Sequence, residues 1–504
     1  MSSPNWIAKA NDLNLRVRNF VDGHYIDEKP DTQRINKRSP RDGSLLYSFS
    51  EGSSNDVDLA VANAKAAFDD GRWRSMPLSQ RQAILHKLAD LVENHKDELA
   101  LYDSLDVGKP ISNAINIDIA AATGYLRNNT DLADKLLAPS SADGGNFSFQ
   151  LRKPIGVVGG VIGWNFPLSM ACTKVAPALV MGNSLVLKPS EFTPLSAGRL
   201  AELAIEAGVP PGVFNVVHGA GVIVGAALAD HRDVDMLTFT GSSATGKKVM
   251  ISAGQSNMKR VVLECGGKSP YLVFDDCVED LDFMITDIVE TSFANQGAVC
   301  SSSTRLLIHE SMVDKVLPRV IAETKKLIPQ DPLNPDTGFG AIINEAHLNK
   351  VLAYIESGKK EGATLITGGE RVKVSTSDGS TQGYYLNPAI FTDVNPQQKI
   401  AQEEIFGPVL SVLTFKTEEE AIALANNSCF GLAAYAATTD QGRALRLAQN
   451  LNAGLVVIVS TPTPSAGGFA DLGCEPHRES GLGAEGGVAG LTAYTVSSSV
   501  HMLA

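Results

Sequence analysis

The sequence has no CxxC pair and no Cys/His cluster; its six cysteines stand singly at 172, 265, 277, 300, 429 and 474. That spacing excludes a disulfide framework and a zinc site, and reduced thiols imply a cytoplasmic setting with no bound metal. Positive charge is also in deficit. A formal net charge of -13 leaves no basic face for nucleic acid or an anionic membrane. No apolar run is long enough to span a bilayer, and the first twenty residues, MSSPNWIAKANDLNLRVRNF, hold no signal-peptide apolar region. Solenoid-length repeats and low-complexity tracts are missing as well. These absences predict a soluble cytoplasmic protein whose partner is a small molecule.

A chain of 504 residues exceeds one hydrophobic core and suggests roughly three domain-sized units. Near the start, VRNFVDGHYIDE reads as two short strands around Asp22-Gly23. Helices are predicted over DVDLAVANAKAAFDD and over a long stretch from Gln80 to Leu105 that Gly108 and Pro110 terminate. APSSADGGN has loop chemistry, and FSFQLRKP after it alternates like a strand, so this piece reads as an arm. From residue 155 onward apolar strands alternate with helices as far as RVVLECGG, and a second such series begins at PYLVFDD. That rhythm marks α/β architecture with parallel, doubly wound sheets, which bind ligands beyond the carboxyl ends of their strands. The Gly-rich C-terminal stretch ends strand-like and is a second candidate arm.

The motifs are ambiguous one at a time. Cys300, in FANQGAVCSSSTRLLIHE, is either a small core hydrophobe or a nucleophile. The first strand of the alternating series leads into GVVGGVIGWNFP, which lacks the GxGxxG dinucleotide fingerprint. TGSSATGKK resembles a P-loop, but Lys248 occupies the place where Ser or Thr must ligate magnesium, so a Gly-rich turn remains the plainer reading. Lys188 and Glu191 in LVLKPSEFTP are either a solvated ion pair or a ribose clamp. Glu264 in LECGGKSP is either a general base or a paired loop residue.

Taken in order, VIGWNFPL, LKPSE, FTGSSATG, LECGGKSP, NQGAVC and EEIFGP closely resemble the NAD(P)-dependent aldehyde dehydrogenase superfamily, from about Phe20 to Tyr494. The resemblance implies a hydrolytic enzyme with a Rossmann-like cofactor domain, an α/β catalytic domain and a β oligomerisation arm. It implies Cys300 as the catalytic nucleophile, Asn165 as an oxyanion donor and Glu264 as the base that hydrolyses a thioester. Surroundings of that kind are expected to favour the Cys300 thiolate over a free thiol of pKa about 8.5. For the NAD cofactor it implies Lys188 and Glu191 on the adenosine ribose, Trp164, Gly241 and Ser242 near the pyrophosphate, and Glu404 and Phe406 at the nicotinamide ribose and ring. Substrate-tunnel positions match Phe166, Met170, Thr173, Val299, Ser301, Cys474 and Glu475.

The implied division is 1–137 with 154–265 for NAD, 266–472 for catalysis, and 138–153 with 473–504 for an arm that pairs protomers into a homodimer or homotetramer. Departures bear on substrate. The usual aromatic residue after AGLVV is missing, with Val457 and Val459 in the run VVIVSTPTPS, and Glu475 and Pro476 replace two glycines of the family pattern. Thr173, Ala294 and Cys474 stand where aromatics are common. A medium-to-large apolar or aromatic aldehyde is the expected substrate. The alternative is an ω-aminoaldehyde held by Glu475, which a loop salt bridge to Arg478 or a lysine would preclude. A non-catalytic nucleotide-binding relative is the reading from another class, and intact Cys300, Asn165 and Glu264 weigh against it.

Overall fold

The computed structural model describes residues 5–28, 32–143, 146–277, 280–376, 379–460 and 472–503. Two large sheets organise it. In the eight-stranded sheet, Phe214–Val216, Ser184–Lys188, Val157–Val161, Met236–Thr240 and Arg260–Glu264 run parallel side by side. The short strand Phe20–Val21 closes one edge antiparallel, with His24–Tyr25 beyond it, and Gly481–Leu482 closes the other. Four of the five central strands are buried along almost their whole length, which is why they read as apolar runs rather than alternating ones. The seven-stranded sheet has Arg305–His309 and Pro270–Val273 near its centre, flanked by Val409–Phe415 and Ala433–Ala437. Leu455–Val459 and Ala389–Thr392 extend it in parallel, and Thr364–Thr367 is its one antiparallel member.

The three-stranded sheet stands apart: Asn146–Pro154 lies between Ser140–Asp143 and Thr495–Met502. Of the 473–504 stretch, only its last strand belongs to this sheet. His477–Arg478 pairs with Phe430–Gly431, and Gly481–Leu482 joins the first large sheet. The turn at Asp22-Gly23 forms as predicted, with both residues at positive φ. Two expectations need correction. The long helix from Gln80 is broken at His95 into Leu78–Asn94 and Lys96–Val107, because His95 leaves helical geometry and its ring bonds the Leu91 carbonyl. APSSADGGN is not all loop: Ser140–Asp143 is a strand, exposed along its length, so it carries no apolar alternation to reveal it. Helix Ala120–Leu132 had no counterpart in the sequence reading. Among the described residues no helix is long and apolar enough to cross a membrane. Residues 461–471, within the unusual stretch after Val459, lie outside the described residues.

A buried charge cluster ties the helical layer to the loop that enters helix Pro167–Val180. Lys109 pairs with Asp118, both about 1% exposed, and its ammonium lies 4.1 Å from the centroid of the Phe166 ring. Asp103 accepts from Leu168 N at 3.3 Å, and burial, with the Asp118 charge, pushes its carboxyl up to about 7. Removing one partner of a fully buried pair strands the other charge. Lys109→Met is therefore expected to cost about 3–5 kcal/mol in denaturant unfolding, and adding Asp118→Leu should restore at least half of the loss. A single variant as stable as the parent would show that the pair carries no such weight.

Candidate active site

The loop that carries Cys300 is built on strained backbone. Helix Leu281–Phe293 ends, and Asn295, Gln296 and Gly297 follow with φ of 50°, 57° and 73°, three successive residues in the left-handed region. Non-glycine residues there cost of order 1 kcal/mol or more each, so surrounding contacts must hold them. Asn295 Nδ2 donates to the carbonyl of Asn165 at 2.9 Å and to that of Ala298 at 3.3 Å. Gly297 lies so close to the Gly407 peptide that a Cβ would overlap it. The turn delivers Cys300 beside Asn165, whose own Nδ2 donates to Ala298 O at 2.8 Å. An amide has two N–H groups, so one remains to point elsewhere.

Glu264 ends the strand Arg260–Glu264 next to the Cys265-Gly266-Gly267 turn. Both glycines are needed for close approach: a Cβ on Gly266 would overlap the Glu404 carboxylate, and one on Gly267 would overlap the Cys300 carbonyl oxygen. Glu404 Oε1 accepts from Gly267 N at 3.2 Å. Trp164, Asn165, Met170, Gly241, Ser242, Glu264, Cys300, Glu404 and Phe406 thus line one cavity of about 240 Å³. Trp164 meets Phe406 edge-on, with centroids 5.2 Å apart. His347, which the sequence reading missed, packs on Trp164 and bonds the Phe406 carbonyl through Nε2 at 2.7 Å.

Electrostatics in the cavity favour neutral acids. Burial, helped by the charge of Glu485 and opposed by Lys174, raises the Glu264 carboxyl well above the usual range, and its Oε1 has no hydrogen-bond partner. Burial, then the Glu264 and Glu404 charges, push the Cys300 thiol up to about 12. The expected resting thiolate is therefore corrected: no helix begins at Cys300 to favour an anion, and carboxylates face it instead. Lys174 and Glu485, a contact pair 311 residues apart, were also missed. Lys174 was the one charge inside the apolar helix PLSMACTKVAPALV, and that was the available signal.

A second group lies on the same carboxyl-end side of the first sheet. Lys188, almost fully buried, donates to Glu191 at 2.9 Å, so the solvated-pair reading fails. Burial tends to raise the Glu191 carboxyl, but the charge and hydrogen bond of Lys188 outweigh it and hold it low. Gly221 lies beside the Lys188 ammonium, next to the exposed apolar side chains of Val222 and Ile223. Ser242 caps helix Ser243–Ser256 by accepting from Thr245 N at 3.3 Å, leaving a helix N-terminus open to an anion.

The remaining tunnel residues do not line the cavity. Phe166 packs on Lys109, and Thr173 is buried with its hydroxyl on the Met170 carbonyl. Val299 and Ser301 flank the nucleophile, both half-buried. Cys474 lies near Glu264, and burial with the charges of Glu264, Glu485 and Glu475 pushes its thiol up to about 12. Glu475 is exposed and, among the described residues, has no ion pair. Arg478 donates instead to the carbonyls of Asn426 and Ser428, so the loop salt bridge to Arg478 is not formed. Among the described residues no group of three His, Cys, Asp or Glu stands ready to hold a metal.

The model of the aldehyde dehydrogenase family matches residues 25–500. The chain belongs to that family. It is 41% identical over 481 residues to an aminoacetaldehyde dehydrogenase of Pseudomonas aeruginosa, covering 94% of each. It superposes with a TM-score of 0.94 on an indole-3-acetaldehyde dehydrogenase solved with NAD+, at 41% identity and over 99% of this chain and 98% of that one. A gamma-glutamyl-gamma-aminobutyraldehyde dehydrogenase from Burkholderia cenocepacia gives 0.93 at 40% identity, with coverage of 99% and 98%.

The raised thiol makes a prediction. Only thiolate is alkylated, so the rate at which iodoacetamide labels Cys300 in the free protein should climb about tenfold per pH unit from 8 to 10. Peptide mapping would read it, and a plateau below pH 9 would contradict the burial effect.

Proposed function

We propose that the chain oxidises an aldehyde to its carboxylic acid with NAD+, through a thiohemiacetal and then a thioester on Cys300. The observation that carries this reading is the convergence of Cys300, Asn165 and Glu264 on one cavity with Glu404 and Phe406. NAD+ would be held by Lys188, Glu191, Ser242, Trp164, Glu404 and Phe406 and would supply the hydride acceptor. Cys300 Sγ gives its proton to solvent water and bonds the aldehyde carbon. The oxyanion so formed is met by the second N–H of Asn165 and by the Cys300 backbone N–H. Loss of hydride leaves the thioester. Glu264 then takes a proton from the water that cleaves it. Burial and the Glu485 charge raise its carboxyl and so make it a stronger base for that proton, while Lys174 opposes the shift.

The substrate we favour is a medium-to-large apolar or aromatic aldehyde. Met170 in the cavity wall supports it. An ω-aminoaldehyde lacks comparable support, because Glu475 is exposed and does not line the cavity. Steady-state kcat/KM across aldehydes that differ in length, ring content and charge tests the choice; a preference for the cationic ones would reverse it. Assembly into a homodimer or homotetramer through the three-stranded sheet is supported by its exposed Phe147, Leu151, Val496 and Met502. The division into NAD-binding, catalytic and arm units is supported by the two large sheets and the separate three-stranded sheet, except that Gly481–Leu482 of the proposed arm joins the first large sheet, and free thiols at all six cysteines support a cytoplasmic site.

Two outcomes follow from the assigned roles. Glu264→Gln should keep a burst of NADH near one per active site and slow the steady state by about 10²–10⁴-fold, since only hydrolysis needs the base. Loss of the burst would move Glu264 to an earlier step. NAD+ should exceed NADP+ in kcat/KM by about tenfold or more, because Glu191 opposes a 2′-phosphate. Equal values would remove Glu191 from the ribose.

A further inference from the structure

Phe406 turns left-handed, with φ of 59°. A bulky side chain in that region is an outlier that surrounding contacts must hold. The contacts come from helix Glu345–Lys360. His347 stands in its first turn, where the Asn344 side chain caps the helix by accepting from His347 N at 2.8 Å. The ring Nε2 of His347 lies 2.7 Å from the Phe406 carbonyl oxygen. A carbonyl only accepts, so the proton sits on Nε2 and the bond fixes one tautomer. One turn further along the helix, Val351 lies against Gly407, where an added Cβ would overlap its side chain. The helix thus grips two successive residues of this turn from one face. The grip reaches the cavity through a triangle of rings. Trp164 and His347 meet edge-on with centroids 5.3 Å apart, Trp164 and Phe406 at 5.2 Å, and His347 and Phe406 at 6.3 Å. All three line the cavity that holds Cys300. Burial, with the Lys350 charge, lowers the His347 ring to about 4, so it is a neutral donor near pH 7.

We propose that His347 is a positioning residue for hydride transfer: its Nε2–H latches the strained Phe406 peptide and, with Trp164, fixes the aromatic wall against which the nicotinamide ring of NAD+ lies. The inference rests on the reading that Glu404 and Phe406 take the nicotinamide end of the cofactor. A wall held by one hydrogen bond and two edge-on contacts keeps the ring at a set distance from the thiohemiacetal carbon, and small misplacements of reacting groups are costly in rate. A neutral donor does this without adding positive charge beside a cationic nicotinamide. With the Nε2–H gone, nothing offsets the left-handed turn at Phe406 on that side, and the ring is free to relax.

The test compares His347→Phe, which keeps a flat ring but no donor, with His347→Gln, which keeps an N–H at similar reach, both in the full chain. His347→Phe is expected to slow the NADH burst by about tenfold while KM for NAD+ and the thermal midpoint stay near those of the parent. His347→Gln should recover the burst to within about threefold. The slowed burst should slow further with an aldehyde deuterated at the carbonyl carbon, because the loss falls on hydride transfer. A burst in His347→Phe as fast as the parent's, equal losses in both variants, or a slowed burst without an isotope effect would overturn the proposal. Should His347→Phe not fold, His347→Asn, too short to reach the carbonyl, takes its place with the same expected loss. Nitrogen NMR of isotope-labelled histidines in the cofactor-free protein reads the latch without turnover. The resonance missing from His347→Gln should show the Nε2–H tautomer, unchanged from pH 6 to 8; the other tautomer, or a mixture, overturns the latch. A parent that reduces no NAD+ with any aldehyde defeats the functional reading and the proposal with it, whereas a working parent with an unaltered burst in His347→Phe defeats the proposal alone.

Discussion

The site depends on one piece of unfavourable backbone. Asn295, Gln296 and Gly297 turn left-handed in succession, a conformation that costs free energy. Local bonds between Asn295 and Ala298 help hold it, and the tertiary contacts are the Asn295 amide on the Asn165 carbonyl and the Gly297–Gly407 approach. These contacts join three chain segments that the two large sheets carry separately. Asn165 follows a strand of the first sheet, Cys300 precedes one of the second, and Gly407 leads into another of the second. Without both sheets in place the turn would relax. Cys300 and Asn165 would then part.

The same crowding sets the charge state. Carboxylates at 264 and 404 approach a thiol in a cavity that excludes water from most of their surface; burial raises all three groups, and the two carboxylate charges disfavour ionisation of the thiol further. A nucleophile made inert at rest is protected from adventitious alkylation and oxidation, both of which need thiolate. The arrangement suits a reaction in which positive charge arrives with the hydride acceptor: ionisation of Cys300 is then favoured only when an acceptor is present to complete the chemistry.

Much of this was legible in the sequence, for reasons that differ by residue. Cys300, Glu264 and Glu404 lie in short motifs whose order is distinctive. The parallel strands of the first large sheet were readable because burial on two faces leaves apolar runs, whereas Ala389–Thr392, Val409–Phe415 and Leu455–Val459 of the second had no counterpart in the sequence reading. Strand Ser140–Asp143 was not readable either, because it is exposed and polar, and pairing rather than burial makes it a strand. His95 shows the converse failure: helical spacing runs through it, yet one ring hydrogen bond lets the chain bend. The thiolate expectation failed because it treated the loop as an anion site, whereas carboxylates from residues far along the chain face it.

Residues that act through long-range pairs were the least visible. Glu485 is ordinary in its Gly-rich stretch, and only the fold brings it to Lys174 and Glu264. Its delivery depends on the antiparallel bridge between Cys474 and Glu485, closed by backbone bonds of 2.8 and 2.9 Å, and on Gly481–Leu482 completing the first sheet beside Glu264. The stretch that departs most from the family pattern, where Glu475 and Pro476 replace glycines, is thus spliced between fixed points on either side. Cys474 stays near Glu264 while the Glu475 side chain turns outward. Variation there alters the rim of the site, and the acid–base core is insulated from it.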